Sequence, residues 1–168
     1  MATNKQKHTF PSGSWSGGAS VTPVGQDFIP MMGGAQRSYH PDGSVPEPEP
    51  GNIFVFGSNL AGLHGAGAAV VARKLFAAAM GFSAGRCGMA YAIPTKDAEL
   101  NVLPLSVIRP HVQRFVEYTA QHPELKFFVT RVGCGLSRYS DSDIAPMFKL
   151  AIGCSFPKPW SPYLPVGE

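Results

Sequence analysis

A glycine-rich loop is the part of this sequence whose residue types most directly suggest chemistry. The run GSNLAGLHGAG, residues 57–67, follows a short apolar segment and precedes a run of helix-forming residues. Glycine lets backbone N–H groups approach a phosphate closely, and the N-terminus of the next helix supplies further donors. The alternative is a strand–helix connection whose small residues only allow close packing. The predicted ligand-binding residues here are Ser58, Asn59, His64, Gly65, Ala66 and Gly67.

Two further loops carry candidate reactive side chains. Lys96 directly follows an apolar segment, where a lysine can clamp a phosphate, act as a nucleophile if its pKa is lowered, or remain a solvated loop residue. Asp97 is the adjacent candidate acid. In residues 132–139 two glycines flank Cys134, which is either a thiol nucleophile or a small packed side chain.

The elements that must position these loops alternate between strands and helices. The predicted strands cover residues 53–56, 89–93 and 126–131, and the predicted helices cover 66–80, 106–121 and 142–152. This order predicts a small three-layer, Rossmann-like α/β domain with a mostly parallel sheet and flanking helices. Ligands of such sheets bind at the carboxyl ends of the strands, so we expect the three loops to meet there.

The first 51 residues differ in composition from the rest of the chain. They hold 8 of the 19 glycines and 7 of the 16 prolines, which predicts a long irregular N-terminal arm. We therefore divide the chain into an arm (1–51), an α/β domain (52–153) and an irregular C-terminal tail (154–168). The apolar residues of the arm are candidate anchors for its own domain, a second copy or a protein partner: Phe10, Trp15, Phe28, Ile29, Met31, Met32 and Tyr39.

Charge, cysteine content and hydropathy narrow the possible partners. The formal net charge of +3 suits an anionic small ligand and does not indicate nucleic acid. The three cysteines lack metal-type spacing, so we expect a reducing compartment and no metal site. No apolar run approaches the roughly 18–20 residues that a membrane span needs, so no membrane partner is expected.

Taken together, the three loops resemble those of macrodomains. The resemblance rests on G-A-G-A-A before the first helix (65–69), on Y-A-I-P-T-K (91–96) and on V-G-C-G-L (132–136). The chain resembles the branch that contains terminal ADP-ribose protein glycohydrolase and the antitoxin macrodomain that removes ADP-ribose from DNA. It is also similar to a family of phage and prophage proteins that share FVFGSNLAG, IPTKD and GCGL. The resemblance covers residues 52–153.

The resemblance implies a ligand of the ADP-ribose type and no cofactor. The glycine loop would face the diphosphate, and Gly133, Cys134, Gly135 and Leu136 would close over it from the other side. Ser137, next in the chain, is a further predicted ligand-binding residue. Lys96 would take the place of the catalytic lysine that attacks the ribose C1″ carbon. The partner acid of that branch directly follows GCGL, where this chain has Ser137. Reversal of ADP-ribosylation would therefore need Asp97, Asp141 or Asp143 as a substitute.

The similarity to phage and prophage proteins also implies a cellular location. It implies a protein of the bacterial host cytoplasm, with association with the virion as a further option. The alternative function is that of a phage structural or interaction protein. In that case the arm binds a partner, and the macrodomain-like part is a non-catalytic scaffold.

Overall fold

Six strands form one sheet in the described part of the chain, residues 37–164 of a computed structural model. The strands are β1 (Ser38–His40), β2 (Asn52–Asn59), β3 (Gly85–Cys87), β4 (Ala90–Lys96), β5 (Lys126–Val129) and β6 (Cys154–Pro157). Their order across the sheet is β1-β6-β5-β2-β4-β3. All neighbouring pairs are parallel except β3 and β4. The predicted α/β fold with a mostly parallel, Rossmann-like sheet is confirmed.

The apolar run of β2 reflects burial on both faces of the sheet. Ile53 and Val55 belong to one core cluster, whereas Phe54 and Phe56 belong to the other. Side chains alternate between the faces of a strand, so a strand covered on both sides reads as a continuous apolar run. This is why the apolar run predicted a buried strand, and the structure places that strand inside the sheet.

Helices cover the two faces unequally. The long helix α2 (Leu105–Gln121) packs on one face with α3 (Asp141–Ile144) and the 3₁₀ turns Ala145–Phe148 and Lys158–Tyr163. The buried stripe of α2 contains Ile108, Val112 and Phe115. On the other face only α1 (Ala68–Leu75) is present among the described residues. No helix between residues 37 and 164 is both long and apolar enough to span a bilayer.

Two predicted helices are shorter than the sequence suggested. The first was expected over residues 66–80, but α1 ends at Leu75. The chain turns at Ala77, which has a φ of 60°. Ala77 lies so close to Gly88 that a Cβ built on Gly88 would be only 2.7 Å from the Ala77 Cβ. The helix therefore stops because the β3–β4 hairpin packs against its end. The last helix, expected over 142–152, divides into α3 and a 3₁₀ turn that contains Pro146, since proline cannot continue the helical hydrogen bonding.

The sheet extends past both domain boundaries that the composition suggested. Strand β1 comes from the predicted arm and β6 from the predicted tail, and they pair in parallel with each other. All four residues of β6 are buried, so residues 154–157 are not irregular. Tyr39 lies in β1, where its hydroxyl donates to the Leu164 carbonyl at 2.7 Å. The other predicted anchors of the arm, Phe10, Trp15, Phe28, Ile29, Met31 and Met32, lie outside the described residues.

Two truncations test whether β1 belongs to the domain. A chain that starts at Gly51 loses β1, whereas one that starts at Arg37 keeps it, so their difference isolates residues 37–50. We expect the shorter chain to melt about 10 °C lower, because it loses the buried His40 and uncovers β6. The measurement is thermal unfolding followed by circular dichroism. Equal melting temperatures would show that β1 adds nothing to the stability of the sheet.

Candidate functional site

A cavity of about 650 Å³ opens at the carboxyl ends of the parallel strands. All three loops that the sequence singled out contribute to its wall, and its volume is typical of small-molecule sites. The contributing residues of these loops are Gly57, Ser58, Asn59, Leu63, Gly65, Ala66, Gly67, Thr95, Lys96, Val132, Gly133, Gly135, Leu136 and Ser137. The structure thus brings together segments that lie up to 80 residues apart in sequence.

The floor of the cavity is aromatic. Phe54 and Phe128 line it, and their ring centroids lie 6.0 Å apart at an interplanar angle of 11°. His40 stacks on Phe128 at 3.7 Å and is only 5% exposed. Sequence reasoning placed His40 in the irregular arm. This is wrong, because His40 lies in β1, which pairs with β6 and so belongs to the sheet.

A fourth segment of the wall was missed from the sequence. Residues 42–45 follow β1 and line the cavity together with the three loops. Pro41, Asp42 and Gly43 have the composition of a turn, and Ser44 donates hydrogen bonds from its backbone N–H and its hydroxyl to the Pro41 carbonyl. The turn was visible in the sequence, but nothing there indicated that it follows a strand of the sheet.

The glycine loop presents unused backbone donors to the cavity. The N–H groups of Gly65, Ala66 and Gly67 donate no hydrogen bond to any other residue in the described chain. Gly67 directly precedes α1 with a φ of 58°, a conformation that favours glycine. A Cβ at Gly65 would meet nothing within 4 Å. Backbone donors without a partner, at residues that line a cavity and directly precede a helix, form a suitable site for an anion.

Two polar residues of this loop shape it from within. The Asn59 side chain accepts from the Leu63 N–H at 3.0 Å and donates to the Leu63 carbonyl at 2.7 Å. The Ser58 hydroxyl donates to the Ser83 carbonyl. Both residues line the cavity, but these bonds already engage the polar groups of their side chains. Their role is to fix the course of the loop.

His64 is buried behind the loop and does not line the cavity. It is 1% exposed, its Nε2 lies 3.0 Å from the Ala79 carbonyl, and its ring packs edge-on against Phe56. The prediction that His64 contacts a ligand is therefore not supported by its position. The residue anchors the glycine loop to the segment after α1.

Lys96 and Asp97 are adjacent in sequence, but their side chains have different surroundings. Lys96 lines the cavity and forms no ion pair within residues 37–164. The Asp97 carboxylate instead accepts from the Glu99 N–H at 3.0 Å and from the Asn101 N–H at 2.8 Å. Asp97 does not line the cavity, and its hydrogen bonds stabilise the turn after β4, so its position does not support the predicted catalytic role.

Hydrogen bonds of hydroxyl groups connect the three loops in the wall of the cavity. Ser137 is 7% exposed and donates from Oγ to Thr95 Oγ1 at 3.0 Å. Thr95 in turn donates to the Ser58 carbonyl at 3.4 Å. Ser137, which stands where the resemblance expects an acid, therefore serves as a hydrogen-bond link between loops that are distant in sequence.

Cys134 is unsuited to act as a nucleophile. It is half-buried and does not line the cavity, although its neighbours Gly133 and Gly135 do. Burial raises the pKa of its thiol to about 12, and the nearby Asp141 carboxylate contributes in the same direction. The thiolate is the reactive form, so this cysteine stays unreactive near neutral pH. The alternative of a small packed side chain agrees with the structure.

Arg131 is the functional candidate that sequence reasoning missed. It lines the cavity at the end of β5, and its guanidinium contacts both oxygens of Asp141 at 2.8 Å. Its Nη1 also lies 3.2 Å from an oxygen of Asp42. The Arg131 guanidinium is the main cause of the lowered pKa of Asp141, which also accepts from Trp160 Nε1. Neither Asp141 nor Asp143 lines the cavity; Asp143 caps α3 with Ser140.

The lowered pKa of His40 makes the stability of the folded protein depend on pH. Burial lowers the pKa of His40 to about 3, against which a hydrogen bond with the Val129 backbone acts weakly. Its folded pKa lies below its unfolded value of 6.5, so only the unfolded chain binds this proton between about pH 3 and 6.5. The stabilisation is complete above pH 6.5 and is lost as the pH falls through this window.

We therefore expect His40→Gln to flatten the pH dependence of stability. The contribution of His40 has a slope of up to about 1.4 kcal/mol per pH unit, because one proton is taken up on unfolding. The measurement is urea unfolding of both proteins at several pH values between 4 and 7. If the variant keeps the wild-type slope, the burial of a neutral His40 is contradicted.

Comparisons with known proteins gave no match for this chain, neither to a family model nor to a curated protein nor to a solved structure. Among the described residues, no group of three or more histidine, cysteine, aspartate or glutamate side chains could hold a metal ion.

Proposed function

We propose that this protein binds ADP-ribose or a related NAD-derived nucleotide, with the diphosphate at the glycine loop. The observation that carries the proposal is the set of free N–H groups at Gly65, Ala66 and Gly67, which line the cavity at the start of α1. Lys96 lines the same cavity without an ionic partner among residues 37–164. Backbone donors and a lysine together provide the groups that hold phosphates.

The remaining wall of the cavity suits the base and the sugars. Phe54 and Phe128 line the cavity, and their rings stack on each other with centroids 6.0 Å apart. Leu63, Leu100 and Leu136 also line the cavity, although each is more than 40% exposed. Nucleotide bases favour such apolar and aromatic surroundings, and polar groups at one end orient the ligand.

The same geometry favours binding over hydrolysis. Attack by Lys96 on the ribose C1″ carbon would need a nearby acid, but Asp42 and Asp141 are paired with Arg131. Asp97 is engaged in a turn, and Ser137 replaces the acid that the resemblance expects. We therefore propose a binding protein of the macrodomain-like type and expect little or no release of ADP-ribose from modified substrates.

Calorimetric titration with ADP-ribose tests the proposal directly. We expect wild-type protein to bind and Lys96→Met to bind about tenfold more weakly, because the variant keeps the side-chain length but loses a charge–phosphate contact. Lys74→Met is the matched control, since Lys74 is exposed on α1 and does not line the cavity.

Two outcomes would contradict the proposal. An absence of heat and of thermal stabilisation at millimolar ADP-ribose would favour a scaffold or interaction role instead. Rapid release of ADP-ribose from a modified substrate, lost in Lys96→Ala, would show that the protein is a hydrolase.

A further inference from the structure

The charged side chains of the cavity differ in whether a neighbouring opposite charge compensates them. Among the described residues that line it, only Asp42, Lys96 and Arg131 carry a full charge near neutral pH. Arg131 is bound by two carboxylates: Asp141, which takes its Nε and Nη2 at 2.8 Å, and Asp42, which takes Nη1 at 3.2 Å. Its positive charge is therefore offset by more than one negative charge within hydrogen-bonding distance.

Lys96 is consequently the main source of uncompensated positive charge. With Asp42, Asp141, Lys96 and Arg131 counted together, the formal charges around the cavity sum to zero. A sphere of the volume of this cavity would be roughly 11 Å across, which is comparable to a Debye length of about 10 Å at 0.1 M salt. The Asp42 carboxylate therefore lies within about one Debye length of a ligand in the cavity, so its charge is only partly screened there.

This charge balance distinguishes between kinds of nucleotide. A terminal phosphate monoester carries a charge of about −1.5 to −2 near pH 7, whereas a phosphate esterified on both sides carries about −1. Neutral backbone donors hold an esterified diphosphate as well as a free one. An additional negative charge, however, would lie in a cavity whose formal charges are already balanced.

We propose that Asp42 is a specificity-determining residue that selects diphosphates esterified at both ends over nucleotides with a terminal phosphate. The inference rests on the proposed function, because it assumes that a nucleotide occupies this cavity. Asp42 acts in two ways. It repels the extra charge of the terminal phosphate, and it accepts from Nη1 of Arg131, which would otherwise be free to attract that phosphate. The side chain of Asp42 is 44% exposed, so its replacement disturbs no buried packing.

The test compares ADP-ribose, ADP and ATP as ligands of wild-type protein and Asp42→Asn, by calorimetry without magnesium at 50 and 200 mM salt. We expect wild-type protein to bind ADP-ribose more tightly than ADP or ATP. Asp42→Asn should improve the affinity for ADP and ATP by about threefold to tenfold relative to that for ADP-ribose. This gain should shrink at the higher salt concentration, because exposed charges are screened.

Glu47→Gln is the matched control for the change in net charge. Glu47 lies on the same segment between β1 and β2 but is exposed and does not line the cavity. We expect this variant to keep the wild-type ratio of affinities. Thermal unfolding of each variant confirms that it is folded before its affinities are compared.

Each alternative result has one meaning. If Asp42→Asn leaves the ratio unchanged, or weakens all three ligands equally, Asp42 does not select the ligand and the inference is overturned. If wild-type protein binds ADP-ribose and ADP equally well, the inference is overturned while the proposed function stands. If no nucleotide binds wild-type protein, the proposed function itself fails.

Discussion

Gly65→Val is expected to weaken ADP-ribose binding by about 50-fold or more without changing the melting temperature. A Cβ at this position enters open space in the cavity, so valine fits the fold but shields the free N–H groups of the glycine loop. Hydrogen bonds to a charged group contribute about 1.5–3 kcal/mol each, and the loss of one or two accounts for this factor. Calorimetry and thermal unfolding measure the two effects separately.

The Gly65 variant has two informative companions. Gly65→Ala should reduce affinity by a smaller amount, because a single methyl group shields less of the backbone. Ala120→Val places the same side chain at an exposed position of α2, away from the cavity, and should bind normally. Gly67 is a poor choice for this test because its φ of 58° would strain any other residue. Undiminished affinity in Gly65→Val would remove the glycine loop from the binding site.

Trp160→Ala is expected to lower the free energy of unfolding by about 3–5 kcal/mol, the range for removal of a fully buried aromatic residue. The indole is completely buried, and its ring centroid lies 5.1 Å from that of Phe148 and 6.1 Å from that of Phe156. Its Nε1 also donates to Asp141 at 2.8 Å. The measurement is urea unfolding, in which the midpoint should fall with little change in slope.

Trp160→Phe separates packing from hydrogen bonding. Phenylalanine keeps much of the ring but cannot donate to Asp141, so we expect an intermediate loss of stability. Because Asp141 also binds Arg131, this variant should loosen the arginine that lines the cavity. A loss below about 1 kcal/mol in Trp160→Ala would show that the segment after β6 is not part of the core.

The central elements of the fold could be predicted because their patterns are local. The run from Ile53 to Phe56 alternates between two buried faces, and the stripe of Ile108, Val112 and Phe115 follows the helical period. Alternation of strands and helices then requires parallel pairing, which brings the carboxyl ends of β2, β4 and β5 to one edge of the sheet. The meeting of the three loops followed from this order alone.

The edge strands could not be predicted in the same way. Strand β1 has three residues and β6 has four, which are too few to show a period, and both lie among glycines and prolines. Their pairing joins Ser38 to Ser155, residues separated by more than a hundred positions. Such a contact forms because the growing sheet offers an unpaired edge, which no local pattern records.

The sequence by itself determined the α/β class, the central strands, the long helix and the loops that form the cavity, because each depends on neighbouring residues. The tertiary structure alone decided which side chains reach the cavity. It turns His64, Asp97 and Cys134 away from it, while it brings in His40 and Asp42 and holds Arg131 between two carboxylates. The physical reason is that a side chain's orientation depends on its hydrogen-bonding and packing partners, and the partners of Asp42 and His40 lie 89 and 115 residues away.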